Sequence, residues 1–257
     1  MLRIDAIPAF DDNYIWLIKD ENLRHAAIVD PGDAAPVLAH LQQHNVTPVA
    51  ILITHHHADH TGGIQDLLAE YEMPVYGPAH ERIPALTHPL SEGDVVTLDE
   101  LGARFQVFEA PGHTRGHILY YGHGLLFCGD TLFAGGCGRI FEGTPEQMYN
   151  SLRKIEALPD ETLVYCAHEY TEANLKFARV AEPGNTDLMQ RIEETRSLRE
   201  RGLATVPSLL GLEKKTNPFL RSHVAEIIHG AEDFAGRPLP TPAEVFAAVR
   251  HWKDTLD

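Results

Sequence analysis

Several features that mark specialised classes of protein are scarce or absent in this sequence. Cysteine occurs only three times in 257 residues, at wide spacing, which is typical of reduced thiols rather than of a disulfide framework or a cysteine zinc site. Basic residues are few: 21 Lys and Arg face 37 Asp and Glu, and the net charge of −16 repels nucleic acid and anionic lipid. No apolar run is long enough to cross a bilayer, and the N-terminus carries no secretion signal. We therefore expect a cytoplasmic protein with neither nucleic acid nor membrane as a partner.

Histidine, in contrast, is concentrated in one short segment. Residues 54–60 read Thr-His-His-His-Ala-Asp-His and follow the apolar run 49–53, which is predicted to be a buried strand. Four imidazoles and a carboxylate are costly to bury without a partner, and a divalent metal satisfies most of them at once. The alternative, a solvated histidine run or an expression-tag remnant, fits poorly with a position directly after a buried strand.

The spacing inside this histidine segment favours two ions over one. Residues two apart in an extended chain face the same side, so His55 and His57 can share an ion while His56 points away. Asp59 and His60 lie beyond the bend, where they can reach a second ion.

Three further candidate ligands each follow a predicted strand. His113 lies in Pro-Gly-His-Thr-Arg-Gly-His, Asp130 in Gly-Asp-Thr and His168 in Ala-His-Glu-Tyr. Taken singly, each is most simply a surface or hydrogen-bonded residue. Together they share one topological position, the end of a strand, and complete two coordination spheres with the histidine segment.

The pattern along the chain predicts an α/β fold followed by helices. Up to about residue 165, short apolar runs between turn signals are mixed with helical patterns, which indicates two sheets with helices outside. From about residue 171 the strand signal disappears and the periodicity is helical. We predict an α/β domain at residues 1–170 and a smaller, all-helical domain at residues 171–257.

The histidine segment and the three motifs after it, in this order, resemble the metallo-β-lactamase superfamily, and within it the hydroxyacylglutathione hydrolase (glyoxalase II) family. The resemblance covers nearly the whole chain and implies a catalytic αββα sandwich followed by a smaller C-terminal helical domain that binds substrate. Further segments carry it: Asn13-Tyr14, Val29-Asp30-Pro31-Gly32, Gly135-Gly136-Cys137-Gly138-Arg139, Glu142-Gly143-Thr144 and Asn217-Pro218-Phe219-Leu220-Arg221.

The resemblance implies a cofactor of two divalent metal ions, with zinc favoured and iron or manganese as alternatives. The implied ligands are His55, His57 and His113 for one ion, Asp59, His60 and His168 for the other, and Asp130 for both. His117, Asp30 and His56 then have no ligand position, and we interpret them as hydrogen-bonding or core residues.

The activity implied by the resemblance is thioester hydrolysis. S-D-lactoylglutathione would be split to glutathione and D-lactate, the final step of methylglyoxal detoxification, by a hydroxide held between the ions beside Asp59 and Asp130. The expected partner is thus a small-molecule glutathione thioester, and the expected state is a monomer. The implied substrate-binding residues are Arg139, Tyr170, Arg250 and Lys253.

Two alternatives stay open at this stage. Arg250 and Lys253 share one face of the last predicted helix, and this pair could equally be a solvated helix face. The superfamily motifs also occur in other hydrolases and in persulfide dioxygenases, which handle glutathione with a single iron. A nuclease is disfavoured by the negative charge and by the absence of a basic stretch with interleaved aromatics.

Overall fold

The structure is a computed structural model that describes residues 2–256. These residues form two compact units. The first unit runs to Glu109 and also takes in Thr114–Gly129, and the second consists of Ala110–His113 and the described chain from Asp130 onward. Among the described helices, none is long and apolar enough to cross a membrane.

The first unit contains a six-stranded mixed sheet whose strands follow one another in chain order. The strands are β1 Arg3–Ala9, β2 Asn13–Lys19, β3 His25–Val29, β4 Thr47–Leu52, β5 Val75–Pro78 and β6 His88–Leu90. The first three strands pair antiparallel, and the pairs from β3 to β6 are parallel. Helices α1 Ala34–His44, α2 Ala58–Thr61 and α3 Ile64–Glu70 accompany this sheet.

Helix α1 links the parallel strands β3 and β4. It begins after Asp33, whose carboxylate accepts the N–H of Ala35 at 2.9 Å, a regular N-terminal cap. Apolar side chains of α1, α3 and the sheet share one core, with Val37, Leu67 and Ile51 fully buried in it.

The carboxyl ends of β3 and β4 lie side by side. Val29 pairs in register with Leu52, and the Asp30 N–H donates to the Leu52 carbonyl at 3.0 Å. The chain therefore leaves the same sheet edge twice, once at Asp30 and once at the histidine segment. This edge is where α/β sheets present functional groups.

Four further strands of the first unit pair antiparallel in chain order. They are β7 Val95–Leu98, β8 Ala103–Glu109, β9 Ile118–Gly122 and β10 Leu125–Gly129. The segment Gly122-His123-Gly124 between two apolar runs predicts a hairpin, and β9 and β10 form one. Tyr120 on β9 is fully buried, and its hydroxyl donates to the Ile53 carbonyl at 2.7 Å, directly after β4.

The second unit is mainly helical, with two short antiparallel strand pairs. Strands β11 Leu132–Phe133 and β12 Gly136–Cys137 form a tight hairpin, and β13 Leu163–Cys166 pairs with β14 Ser208–Leu209. The β14 strand lies in the part of the chain where only helices were predicted, because two residues are too few to show a period. The helices are α4 Pro145–Glu156, α5 Thr171–Ala181, α6 Thr186–Glu200, α7 Leu210–Thr216, α8 Ala225–Ala235 and α9 Pro242–Asp254, with a 3₁₀ turn at Pro218–Leu220.

Helix α9 buries more than the apolar face that its periodicity predicts. Val245, Phe246 and Val249 are buried as the pattern indicates. Arg250 and Lys253 are buried as well, at 3% and 8% exposure. Charged side chains are rarely buried without partners, so this end of α9 has a specific environment.

Candidate functional site

The histidine segment places its side chains in two directions. His55 is fully buried, and its Nε2 lies 3.1 Å from Nδ1 of His57. The intervening His56 turns instead to Glu81, with 3.7 Å between Nδ1 and Oε2. His55 and His57 are thus brought together with their ring nitrogens facing one another.

The first turn of α2 carries the other two candidates of the first unit. Nε2 of the buried His60 lies 3.4 Å from Oδ2 of Asp59. The same Asp59 oxygen accepts a hydrogen bond from Asn13 Nδ2 at 3.1 Å. Asp59 and His60 both lie on the short helix α2.

Asp30 holds the histidine segment from behind. It has a positive φ of 51°, an uncommon conformation for a residue other than glycine. Its Oδ1 accepts the Thr54 N–H at 2.8 Å, and its Oδ2 accepts the Thr54 hydroxyl at 2.7 Å. Oδ2 also lies 3.0 Å from Nδ1 of His60. Since a carboxylate only accepts, Nδ1 of His60 carries a proton, and in the neutral ring it is the lone pair of Nε2 that faces Asp59.

In the second unit, Asp130 faces one imidazole with each oxygen. Its Oδ2 lies 3.3 Å from Nε2 of His113, and its Oδ1 lies 3.4 Å from Nε2 of His168. All three side chains are buried. Nδ1 of His113 lies 2.7 Å from the carbonyl of Arg139, which fixes the proton on Nδ1.

This donor chemistry suits metal ions. In the neutral rings of His60 and His113, the Nε2 lone pair points at a carboxylate oxygen, and two electron pairs face one another. A cation placed between the nitrogen and the oxygen would be coordinated by both electron pairs, which removes the repulsion between them. The hydrogen bond at Nδ1 holds the ring in the orientation that such coordination needs. Imidazole and carboxylate ligands together suit zinc, iron or manganese.

In each unit a glycine lies against the backbone of a candidate carboxylate. A Cβ at Gly32 would lie 1.9 Å from the carbonyl oxygen of Asp59, and a Cβ at Gly138 would lie 1.9 Å from that of Asp130. No side chain fits at such distances, so both positions require glycine. The positions of the two carboxylates therefore depend on close backbone packing.

The second unit also contains a cavity of about 340 Å³ beside Asp130 and His113. The other lining residues are Phe133, Cys137, Arg139, Phe141, Tyr170, Ala173, Asn174, Arg250 and Lys253. All four residues predicted to bind substrate, Arg139, Tyr170, Arg250 and Lys253, line it. The cavity thus concentrates cations in a chain with a net charge of −16.

Asp254 organises two of these cations. Its Oδ1 accepts a hydrogen bond from Nη2 of Arg250 at 2.9 Å and lies 3.5 Å from Nε of Arg139. Nη1 of Arg250 donates to the carbonyl of Cys137 at 3.0 Å. Burial raises the pKa of the Cys137 thiol more than the nearby Arg250 lowers it, so this thiol stays protonated.

Aromatic rings hold the cavity wall around His168. The rings of His168 and Tyr170 stack with 4.7 Å between centroids, and the Phe133 ring meets both edge to face. Phe141 meets the His113 ring at 5.3 Å and is 62% exposed. An exposed aromatic at the edge of a polar cavity is available to a ligand.

Several residues of the site were not predicted from the sequence. Asp254 could have been found, since it lies four residues after Arg250 on one helix face. Phe133 and Asn174 gave no signal, because nothing in their local sequence distinguishes cavity-lining from core residues.

Two family models match consecutive parts of the chain. The model described as the metallo-beta-lactamase superfamily matches residues 9–168, and the one described as the hydroxyacylglutathione hydrolase C-terminus matches residues 169–256. The compact units divide the chain differently, and the domain boundary predicted at residue 170 stays a prediction.

Curated relatives match over the full length. A protein of Nitrosomonas eutropha named hydroxyacylglutathione hydrolase is 55% identical over 256 residues and covers 100% of both chains. A protein of Alkalilimnicola ehrlichii with the same name is 56% identical over 254 residues, covering 99% of each chain.

Solved structures with similar folds match as well. The crystal structure of ETHE1 from Myxococcus xanthus has a TM-score of 0.66 and 28% identity, covering 99% of both chains. The structure of TTHA1623, described as a di-iron-bound form, has a TM-score of 0.59 and 27% identity over 85% of this chain and 100% of that one. The predicted fold, a metallo-β-lactamase domain followed by a helical C-terminal domain, is confirmed.

Proposed function

The chain belongs to the hydroxyacylglutathione hydrolase family of the metallo-β-lactamase superfamily and is a hydrolase, and we propose that its substrate is S-D-lactoylglutathione. The products are glutathione and D-lactate, and the reaction is the final step of methylglyoxal detoxification. The observation that carries this proposal is the cation-lined cavity directly beside Asp130 and His113.

The superfamily and the His/Asp clusters in each unit indicate a site for two metal ions, and we propose zinc as the metal. The proposed ligands are His55, His57 and His113 for one ion, Asp59, His60 and His168 for the other, and Asp130 for both. Support comes from Asp130, since each of its oxygens faces a different imidazole.

When bound, the ions supply Lewis acidity, which lowers the pKa of coordinated water and polarises a carbonyl. The side chains prepare this chemistry. Asp30 fixes the proton on Nδ1 of His60, and the Arg139 carbonyl does the same for His113. Asp59 and Asp130 offset two of the four positive charges, so the site keeps a positive charge that stabilises a developing oxyanion.

The cavity residues recognise the thiol half of the substrate. Arg250 and Lys253 are buried and face the cavity, and their position supports a role in binding the carboxylates of the glutathione peptide. Arg139 and Tyr170 line the same cavity and can donate hydrogen bonds to it. A thiolate is a good leaving group and needs little acid assistance to depart. The residues on the thiol side of the scissile bond therefore only have to bind and orient the substrate.

We further propose that the chain acts as a cytoplasmic monomer with a domain boundary at residue 170. The three cysteines are buried and none is in a disulfide, which suits a reducing compartment. All proposed ligands come from one chain, so a partner copy is not needed to supply any of them.

A metal count combined with a thioester assay tests the function. The purified protein should contain two metal ions per chain and should remove the thioester absorbance of S-D-lactoylglutathione. Asp130→Asn should lose both bound metal and turnover, whereas Asp94→Asn, in an exposed turn where the carboxylate accepts the Ser91 N–H, should lose neither. One iron per chain with oxygen uptake would instead identify a persulfide dioxygenase.

A further inference from the structure

Asn217, at the end of α7, is fully buried and is bonded to two separate backbone segments. Its Nδ2 donates to the carbonyl of Gly136 at 2.9 Å and to that of Phe133 at 3.2 Å, both in the β11–β12 hairpin. Its Oδ1 accepts the N–H of Phe219 at 3.1 Å. One amide side chain therefore ties the hairpin to the 3₁₀ turn.

Both segments meet Arg250. In the hairpin, Gly136 is followed by Cys137, whose carbonyl accepts the hydrogen bond from Nη1 of Arg250 at 3.0 Å. In the 3₁₀ turn, the ring of Phe219 lies under the guanidinium, with 5.0 Å from Cζ to the ring centroid. The guanidinium of Arg250 is thus held by the Cys137 carbonyl and by the Phe219 ring. Asn217 bonds to the backbone at both places, to the carbonyl of Gly136 and to the N–H of Phe219.

Asn217 is itself held by a buried ion pair. Glu213 is fully buried, and its Oε2 accepts hydrogen bonds from Asn217 Nδ2 at 3.1 Å and from the Gly135 N–H at 2.9 Å. Its Oε1 pairs with the guanidinium of Arg191. Burial alone would raise the pKa of Glu213, but Arg191 and the hydrogen bonds outweigh it and lower the pKa, so the carboxylate stays charged.

We propose that Asn217 is a positioning residue that fixes the guanidinium of Arg250 in the orientation that receives the anionic thiol half of the substrate. An arginine side chain loses conformational entropy when it is fixed in one geometry. If the side chain is already fixed in the free protein, ligand binding does not have to order it, and affinity is higher. This inference rests on the proposed contact between Arg250 and glutathione. It adds a residue that lies outside the cavity lining and acts through its hydrogen bonds.

A double-mutant cycle on the full-length, metal-loaded protein tests the inference. Asn217→Ala should raise KM for S-D-lactoylglutathione by about fivefold to tenfold, the size of one weakened charge-assisted contact, and should leave kcat within about threefold. In an Arg250→Ala background the same change should raise KM by less than about twofold, because the side chain that it positions is gone. Hydrolysis of an uncharged thioester should not change.

Asn185→Ala is the matched control. Asn185 makes three side-chain hydrogen bonds, against four for Asn217. It donates to Glu182 Oε2 and to the Lys215 carbonyl and accepts from the Leu188 N–H, and none of these bonds meets the hairpin or the 3₁₀ turn. This variant should lower the melting temperature and leave KM unchanged. Metal content, measured for both variants, should stay at the native value.

The outcomes separate this inference from the proposed function. If Arg250→Ala alone keeps the native KM, the proposed contact with glutathione is wrong. If Arg250→Ala raises KM but Asn217→Ala does not, or if the two effects are fully additive, the positioning role is wrong. Should Asn217→Ala fail to fold, Phe219→Leu replaces it in the cycle, with the same expected rise in KM and the same refuting result.

Discussion

Replacing Asp30 by asparagine should weaken one of the two metal positions and leave the other intact. Asp30 is 4% exposed and uses both oxygens, on the Thr54 N–H, the Thr54 hydroxyl and Nδ1 of His60. Asparagine keeps one oxygen and presents an NH₂ group in place of the other. If the oxygen stays on the Thr54 N–H, the NH₂ group faces His60, which must then accept at Nδ1 and carry its proton on Nε2.

The magnitude follows from that tautomer change. A His60 ring protonated at Nε2 cannot coordinate through that atom until the proton moves back, and it then loses a hydrogen bond to a charged partner. Such a bond contributes roughly 1.5–3 kcal/mol. Affinity for the ion at His60 should therefore fall about 10-fold to 100-fold, the range seen for residues that orient metal ligands.

The assay is a zinc titration of the metal-free protein against a competing chelator. Wild type should show two sites of high affinity, and Asp30→Asn should show one unchanged and one weakened. Nitrogen-15 NMR of the imidazoles should show the His60 proton moving from Nδ1 to Nε2. Asp33→Asn is the control, since asparagine caps a helix as well as aspartate does and Asp33 only caps α1. Native affinity at both sites in Asp30→Asn would refute the reasoning.

Three further experiments test other parts of the structure. Replacing both Arg250 and Lys253 by alanine should raise KM about tenfold to a hundredfold and leave kcat unchanged, since the contact lies away from the reacting carbonyl. A native KM in this variant would show that the two side chains do not bind the substrate. In elemental analysis, His57→Ala should lose bound metal and His56→Ala should keep it. Equal losses in the two variants would contradict the assignment of His57, and not His56, as a metal ligand. The pKa of Glu213 is lowered from 4.5, so its charge stabilises the fold above that pH and less as the pH falls below it. The melting-temperature gap between wild type and Glu213→Gln should therefore shrink from about pH 6 to about pH 4, and a constant gap would contradict the lowered pKa.

Local pattern was sufficient for the parts of the site that depend on one strand and its loop. Alternation along an extended chain predicted that His55 and His57 lie on one side and that His56 points away. The structure has Nε2 of His55 3.1 Å from Nδ1 of His57, and it turns His56 to Glu81. The apolar face of α9 followed from helical periodicity, and the hairpin at β9 and β10 followed from the glycine-containing turn between two apolar runs.

Contacts between segments that are distant in the chain could not be predicted from local sequence pattern. Arg250 is held by the carbonyl of Cys137, 113 residues away in the chain, and by the ring of Phe219. On a helical wheel Arg250 and Lys253 look like solvent-facing charges, and only the packing of other segments around α9 buries them. The two-residue strand β14 was missed for the same reason, since its only signature is its partner β13.

The cavity has a consequence for how new activities can arise on this chain. Every residue that lines it belongs to the second unit, whereas His55, His57, Asp59 and His60 belong to the first. On the proposed role of the cavity in binding the thiol half of the substrate, changes in α5 and α9 would alter which thiol carrier is accepted without altering the histidine segment. A library confined to the cavity positions away from Asp130 and His113 is the natural starting point for engineering hydrolases of other thioesters, and a duplicated gene could diverge by the same route.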